Sequence, residues 1–181
     1  SFLGTTVDLE ETYAWGLHEM AEVEQTMISA ATTIVGQARK VDVINAAIES
    51  LDADPTRTIE GAENFRDWMQ GISDQAIETL SREHFSIPES LRTLTCRIAP
   101  STSGAIYYTA PTEDLSRPGQ MWWAVPQGVT SFSTWRETST VYHEGVPGHH
   151  LQIAGAIHRR HELNRWRRLD CWVSGHGEGW A

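Results

Sequence analysis

Apolar residues change their spacing after the first half of this chain, and that change limits the possible folds more than any other feature. Before Pro88 they recur at every third or fourth position, whereas between residues 94 and 125 they alternate with polar residues. Spacings of three and four are typical of helices that bury one face, and alternation is typical of half-buried strands. The sequence therefore predicts a mainly α fold with a small antiparallel β-sheet in its second half, which is the α+β class.

Three helices are predicted in the first half of the chain, over residues 6–35, 42–51 and 59–83. Gly36 is suited to end the first helix, because glycine tolerates the backbone angles of a helix C-terminus. The first helix carries one apolar stripe, formed by Leu9, Tyr13, Leu17, Met20, Val23, Met27, Ala31 and Ile34. A stripe at this spacing predicts one long amphipathic helix.

The second half is predicted to contain the sheet and further helices. Three strands are expected over residues 94–98, 104–109 and 120–125, because apolar and polar residues alternate there between turn signals. Helices are expected to follow the sheet over residues 131–142 and 151–169.

The segment VYHEGVPGHHLQ holds three histidines and one glutamate. Its His143-Glu144 pair begins like the H-E-x-x-H helix of zinc proteases, in which the second histidine follows one turn later. Pro147 stands at that position and has no metal-binding group. In an unbroken helix His150 would lie about 10 Å further along the axis, and His149 would point to another side.

An insertion would restore the zinc motif. Gly145-Val146-Pro147-Gly148 combines a helix breaker with two glycines, which favour a loop or a bulge. If the helix resumes at Gly148, His149 can swing to the place of the usual second ligand. The segment is therefore predicted to be a zinc motif that contains an insertion.

A third ligand is needed, and zinc hydrolases often take it from a glutamate of a following helix. Glu178 lies 29 positions beyond His149, which leaves room for a helix, a turn and the start of another helix. Glu162, Asp170 and His176 are rival candidates.

Glu144 stands beside the first candidate ligand and is predicted to act as the general base. It would take a proton from metal-activated water, because a bound metal lowers the pKa of that water toward neutrality. These residues predict one zinc ion and a zinc-dependent hydrolase. In the alternative, the histidines are capping and core groups, and the chain is a non-catalytic metal-binding or structural helical module.

Five arginines crowd the stretch between the histidine segment and the C-terminus. They are Arg159, Arg160, Arg165, Arg167 and Arg168. Two interpretations remain open: a solvated helix face, or a group that binds an anion such as a substrate carboxylate.

Composition limits the partners and the location. The net charge of −10 argues against a nucleic-acid partner. No apolar run approaches the length of a membrane span. Cys96 and Cys171 form no C-x-x-C pair, which predicts two buried thiols in a reducing compartment, with one disulfide as the alternative. A cytoplasmic protein is therefore expected, with a secreted or periplasmic form as the alternative.

Length and the chain ends define the expected organisation. A chain of 181 residues is one domain or a large piece of one. We expect a helical region over 1–90 and, in the same domain, a small sheet with metal-binding helices over 91–181. The chain starts at Ser1 and stops at Ala181 without a helix stop signal, which predicts a piece of a longer protein.

Residues 143–152 resemble the signature of the bacterial domain of unknown function family numbered 885. Gly104-Ala105-x-Tyr107, Asp114–Gly119 and Glu178–Ala181 are also similar to the pattern of that family. The specific motifs lie between about residue 90 and the C-terminus, and the helical half matches more loosely.

The resemblance implies a gluzincin-like metallopeptidase fold, a zincin-like core that is incomplete here. Gluzincins pair two histidines of one helix with a glutamate of the next, which corresponds to His143, His149 and Glu178. Gly148-His149-x-Leu151 is similar to the Gly-His-x-Leu of thimet-oligopeptidase-like enzymes, and this favours His149 over the alternative ligand His150.

The resemblance also implies a peptide or small amide substrate. Gly104 and Ala105 are expected in an edge strand that pairs with a peptide, as in other zincins, or in an ordinary sheet strand. Tyr107 and Arg117 are expected to line the substrate pocket. Because members of this family are usually longer, the missing remainder of the chain is expected to complete the site.

Overall fold

A computed structural model describes residues 6–36, 42–103 and 106–181. Its helices are α1 (Leu9–Val35), α2 (Val43–Asp52), α3 (Ala62–Glu83), α4 (Thr134–Glu144), α5 (Gly155–His158), α6 (Arg165–Leu169) and α7 (Ser174–Trp180). Its strands are β1 (Thr58–Glu60), β2 (Leu94–Ile98), β3 (Tyr107–Thr109), β4 (Gly119–Trp123) and β5 (Ser131–Ser133). The mainly helical α+β class is therefore as the sequence predicts.

The described chain forms two compact units, one ending at Thr58 and the other beginning at Ile59. In the first unit α1 contacts α2. Helix α1 begins after Asp8, whose carboxylate accepts hydrogen bonds from the first-turn amides, and ends at Gly36 with a φ of 78°. Of the predicted apolar stripe, Ala31 alone is buried, so the periodicity predicted the helix but not a covered face.

The second unit is built around helix α3 and strand β2, which pack on each other. Phe65 and Met69 of α3 are fully buried, together with Leu94 of β2 and Met121 of β4. The sequence grouped α3 with the N-terminal helices, whereas these contacts place it with the sheet.

The predicted start of the third helix at residue 59 is wrong. Ile59 lies in β1, which pairs with β5 in a two-stranded sheet, and the helix begins at Ala62 after Gly61. Gly61 has a φ of 87°, which glycine adopts at little cost, and its amide donates to the Thr130 carbonyl at 2.7 Å.

The three-stranded sheet is mixed, not purely antiparallel as predicted. Its order is β2-β4-β3, with β4 parallel to β2 and antiparallel to β3. Two chain reversals separate β2 from β4 and restore the original direction, and β4 then lies between its two neighbours. The predicted strand 104–109 is observed from Tyr107, and Gly104 and Ala105 lie outside the described residues.

The predicted helix 151–169 is interrupted. A π-helical turn at His150–Ala154 continues into α5, turns follow from Arg159, and α6 begins after Asn164. The Asn164 side chain accepts a hydrogen bond from the Arg167 amide at 2.9 Å, so it caps a new helix rather than continuing the old one.

Helices that could cross a lipid bilayer, being both long enough and apolar enough, are not found among the described residues.

Candidate metal centre

Helix α4 presents His143 and Glu144 in its last turn, and the chain leaves the helix at Gly145. The Gly145 amide still donates to the Val141 carbonyl at 2.9 Å, which completes the turn. A Cβ atom on Gly145 would stand 2.7 Å from that same carbonyl oxygen. Only glycine therefore allows the chain to leave the helix at this point.

The insertion 145–148 forms the predicted turn, and helical structure resumes at His149. The Gly148 amide donates to the Tyr142 carbonyl at 3.1 Å, and a Cβ atom on Gly148 would overlap the His143 carbonyl. This close approach folds the insertion back on α4, so that His149 returns to the side of His143.

The three candidate ligands lie together. Nε2 of His143 and Nε2 of His149 are each 3.5 Å from Oε2 of Glu178. The two imidazole rings meet edge to face, with centroids 4.6 Å apart. One donor atom from each of the three residues fits within 4.8 Å of the others. The structure thus brings together two nitrogens and one carboxylate oxygen from segments 29 residues apart.

Helix α7 positions Glu178 through its neighbours in sequence. Gly177 packs on Trp172 so closely that a Cβ atom would overlap the indole ring, and Trp172 in turn lies 5.7 Å from the His149 ring. Trp180 donates from Nε1 to the Pro147 carbonyl at 2.8 Å. Helix α7 is therefore hydrogen-bonded to the insertion, which directly precedes His149.

Glu144 lies beside the cluster and is buried, with 7% of its surface exposed. Burial raises the pKa of its carboxyl group, the neighbouring His149 and His143 lower it, and Glu178 raises it again. A desolvated carboxylate with a raised pKa is a better proton acceptor than an exposed one.

His150 points into the core, away from the other two histidines. Its Nε2–H donates to the Leu91 carbonyl at 2.9 Å, so Nδ1 is the acceptor for the Tyr108 hydroxyl, also at 2.9 Å. Burial lowers the pKa of His150 and raises that of Tyr108. Both ring nitrogens are occupied, and Gly119 leaves the space for this pair because a Cβ atom there would overlap it. The alternative ligand His150 is therefore not in the cluster.

The other candidates from the sequence have different places. Tyr107 lines the cleft beside the cluster and stacks on Trp122 at 6.2 Å. Arg117 donates to the carbonyls of Ala110 and Pro118 and does not line that cleft. Of the rival ligands, Glu162 forms an exposed ion pair with Arg159, and neither Asp170 nor His176 belongs to the cluster.

The cleft has a volume of about 350 Å³ and includes residues that the sequence did not indicate. Ile106, Ile153 and Trp172 form apolar walls around the candidate ligands. Ile153 lies in the segment 151–169, for which the sequence predicts a helix and no role in the site. Trp172 carries no local signal for this role, because its position depends on how α7 packs.

Comparison with known proteins identifies the family. The chain belongs to the family described as "Bacterial protein of unknown function (DUF885)", whose model matches residues 1–181. Comparison with curated proteins gave no match.

One similar solved structure is described as "The crystal structure of the putative lipoprotein from Colwellia psychrerythraea", with a TM-score of 0.72 and 20% sequence identity. The alignment covers 97% of the present chain and 30% of that chain. At this identity the similarity shows the fold alone.

Proposed function

We propose that this chain contributes the metal-binding and proton-transfer groups of a zinc-dependent hydrolase, and that the preferred class of hydrolase is a metallopeptidase. His143, His149 and Glu178 would hold one zinc ion, and Glu144 would be the general base. The observation that carries the proposal is the convergence of the three donor atoms within 4.8 Å, beside a buried carboxylate.

The donor set fits zinc. Nitrogen and carboxylate oxygen ligands lie about 2.0–2.2 Å from zinc, so two ligands of a tetrahedral site stand about 3.4 Å apart. Each histidine Nε2 is 3.5 Å from the Glu178 oxygen. Nδ1 of His149 lies 3.4 Å from the Gln152 amide oxygen, a contact that favours a proton on Nδ1 and a free lone pair on Nε2. Three protein ligands also leave one position open, as catalytic zinc sites do.

Zinc, when bound, lowers the pKa of a coordinated water and polarises a carbonyl oxygen. Glu144 would accept the proton released in the reaction and pass it to the leaving amine, and its burial keeps competing water away. The apolar walls formed by Ile106, Ile153 and Trp172 would orient the substrate. Strand β3 is at the edge of its sheet beside the cleft, where an extended peptide could pair with its backbone.

The finer classification belongs to the same proposal. A gluzincin-like fold is supported by the ligand order, in which two histidines flank one helix junction and a glutamate follows on a later helix. The chain spans 30% of the length of the similar solved structure, which supports further groups outside these residues that complete the site. The free thiols of Cys96 and Cys171 support a reducing compartment such as the cytoplasm.

A non-catalytic module is the second candidate, and one observation favours it. The 3.5 Å contacts of Glu178 with both histidines would also be ion pairs if a histidine were protonated, and these pairs alone could hold α7 to α4.

Metal analysis separates the two candidates. We expect elemental mass spectrometry to find about one zinc per chain, and to find none in His143→Ala and Glu178→Ala. His158→Ala is the matched control, because His158 is an exposed histidine hydrogen-bonded to Ser90 elsewhere on the surface. Glu144→Gln should keep zinc and lose peptide cleavage by roughly 10²-fold or more. Zinc-free protein in this chain and also in a longer chain that contains it would favour the structural module.

A further inference from the structure

The cleft beside the candidate ligands adjoins a second cavity, which we call the side cavity. Its volume is about 540 Å³, and it shares Tyr108, Ile153 and Trp172 with the cleft. A further recess of about 550 Å³ shares Ile106, His143 and Glu144 with the cleft. Two cavities therefore adjoin the candidate metal centre, and the side cavity is one of them.

Arg168 is a buried cation in the wall of the side cavity. Its side chain is 8% exposed. Nη2 donates to Glu113 at 2.8 Å, and Nε donates to the Leu163 carbonyl at 3.2 Å. Nη1 is covered from solvent and has no hydrogen-bond partner among the residues that the structure describes. A buried donor without an acceptor is costly, so its presence requires an explanation.

Charge around Arg168 is not balanced by its protein partner. Glu113 is shared between Arg168 and Arg165, and the hydrogen bond from Arg168 is the main cause of the lowered pKa of Glu113. Asp114 and Arg160 line a recess together with Glu113 and Arg168, so two carboxylates face three guanidinium groups around this position. Arg167 and Asp170 also line the side cavity, and its other titratable side chains are Tyr108, Cys171 and His176.

We propose that the side cavity binds a carboxylate group of the substrate through Arg168. This inference rests on the proposed hydrolase function and specifies the chemical class of its substrate. A carboxylate would give Nη1 the acceptor that it lacks, in the charge-assisted geometry that arginine prefers. Because Nη1 is covered from solvent, binding requires a movement of the side chains around it. Of the two sequence-based interpretations of the arginine cluster, this one applies to Arg168.

The test measures binding without zinc, so that it does not depend on catalysis. Three peptides are titrated into the EDTA-treated chain: acetyl-Ala-Phe-Leu with a free carboxylate, its C-terminal amide, and acetyl-Ala-Phe-Glu-amide. The readouts are the dissociation constants and the shift of the Arg168 Nε–Hε signal in nuclear magnetic resonance spectra. We expect the free carboxylate to bind roughly 10- to 100-fold more tightly than the amide, the effect of one charged hydrogen bond.

Variants assign the preference to Arg168. In Arg168→Gln the preference for the carboxylate should disappear, and in Arg92→Gln it should persist. Arg92 is a matched control because its Nε also donates to a backbone carbonyl and it also pairs with a glutamate, on another surface. If Arg168→Gln does not fold, two other measurements replace it. The first is the shift of the Arg168 Nε–Hε signal in the unmodified chain. The second is the preference for the free carboxylate in Arg167→Gln, which changes an exposed side chain. This preference should be weaker than in the unmodified chain.

Each outcome decides the proposal. Tight binding of acetyl-Ala-Phe-Glu-amide with the same dependence on Arg168 also supports it, and identifies an acidic side chain as the source of the carboxylate. Equal binding of acid and amide, no binding of any peptide, or a preference that survives in Arg168→Gln overturns it. Carboxylate binding at Arg168 in a chain that takes up no zinc would leave this inference intact and contradict the hydrolase.

Discussion

At the scale of single residues, two adjacent histidines have opposite surroundings. His149 faces Glu178 in the cleft, and His150 is 1% exposed between Tyr108 and Leu91. We expect His149→Ala to abolish zinc binding with little loss of stability. His150→Ala should keep zinc in the folded protein but lower the free energy of unfolding by about 2–4 kcal/mol, because it leaves a buried hydroxyl and a buried carbonyl without partners.

Zinc stoichiometry and urea unfolding of both variants check this prediction. Loss of zinc in folded His150→Ala, with zinc retained in His149→Ala, would reverse the assignment of the ligand.

The two cysteines also differ in their exposure to solvent. Cys96 is 3% exposed, and burial raises the pKa of its thiol to about 11, whereas Cys171 is exposed. We expect one thiol of the native chain to react rapidly with Ellman's reagent and the second to react only after unfolding.

A pH dependence follows from the raised pKa of Cys96. The folded state favours the neutral thiol, so this contribution to stability is present below pH 9.0 and is lost as the pH rises toward about 11. Between these values the wild type should lose more stability than Cys96→Val. Equal losses in urea unfolding would show that the thiol does not contribute.

At the scale of elements, the insertion 145–148 determines whether the site forms. We expect Gly148→Ala to destabilise the chain by about 2 kcal/mol or more and to weaken zinc binding, because its Cβ would overlap backbone of α4 that is held by hydrogen bonds. Gly71→Ala is the matched control, since a Cβ at this exposed helical position meets nothing within 4 Å. That control should stabilise the chain, by up to about 1 kcal/mol. Unchanged zinc affinity in folded Gly148→Ala would contradict the role of the insertion.

The sequence predicted those elements whose cause is local. Periodicity identified α1, α2 and most of α3, and the glycines and proline between His143 and His149 identified the insertion. Strand order and the pairing of β1 with β5 depend on residues distant in sequence, and a local pattern contains no information about such pairs. The position of Trp172 also depends on residues distant in sequence. The interruption of the predicted helix 151–169, in contrast, had a local signal, because Asn164 is a residue that favours the start of a new helix.

At the scale of the whole molecule, the apolar stripe of α1 is exposed, whereas an amphipathic helix usually buries its apolar face. Leu9, Tyr13, Leu17, Met20 and Val23 are each more than half exposed. Contiguous apolar surface of this kind marks an interaction site or a tendency to aggregate.

We therefore expect the 181-residue chain to bind a hydrophobic dye and to self-associate as its concentration rises. Met20→Glu should reduce both effects with a change in stability below about 0.5 kcal/mol, because this exposed side chain is not part of the core. Gln25→Glu adds the same charge on the opposite face of α1 and should change neither. Dye fluorescence and analytical ultracentrifugation measure the two effects. Equal dye binding by Met20→Glu and Gln25→Glu would show that the stripe is not the surface responsible.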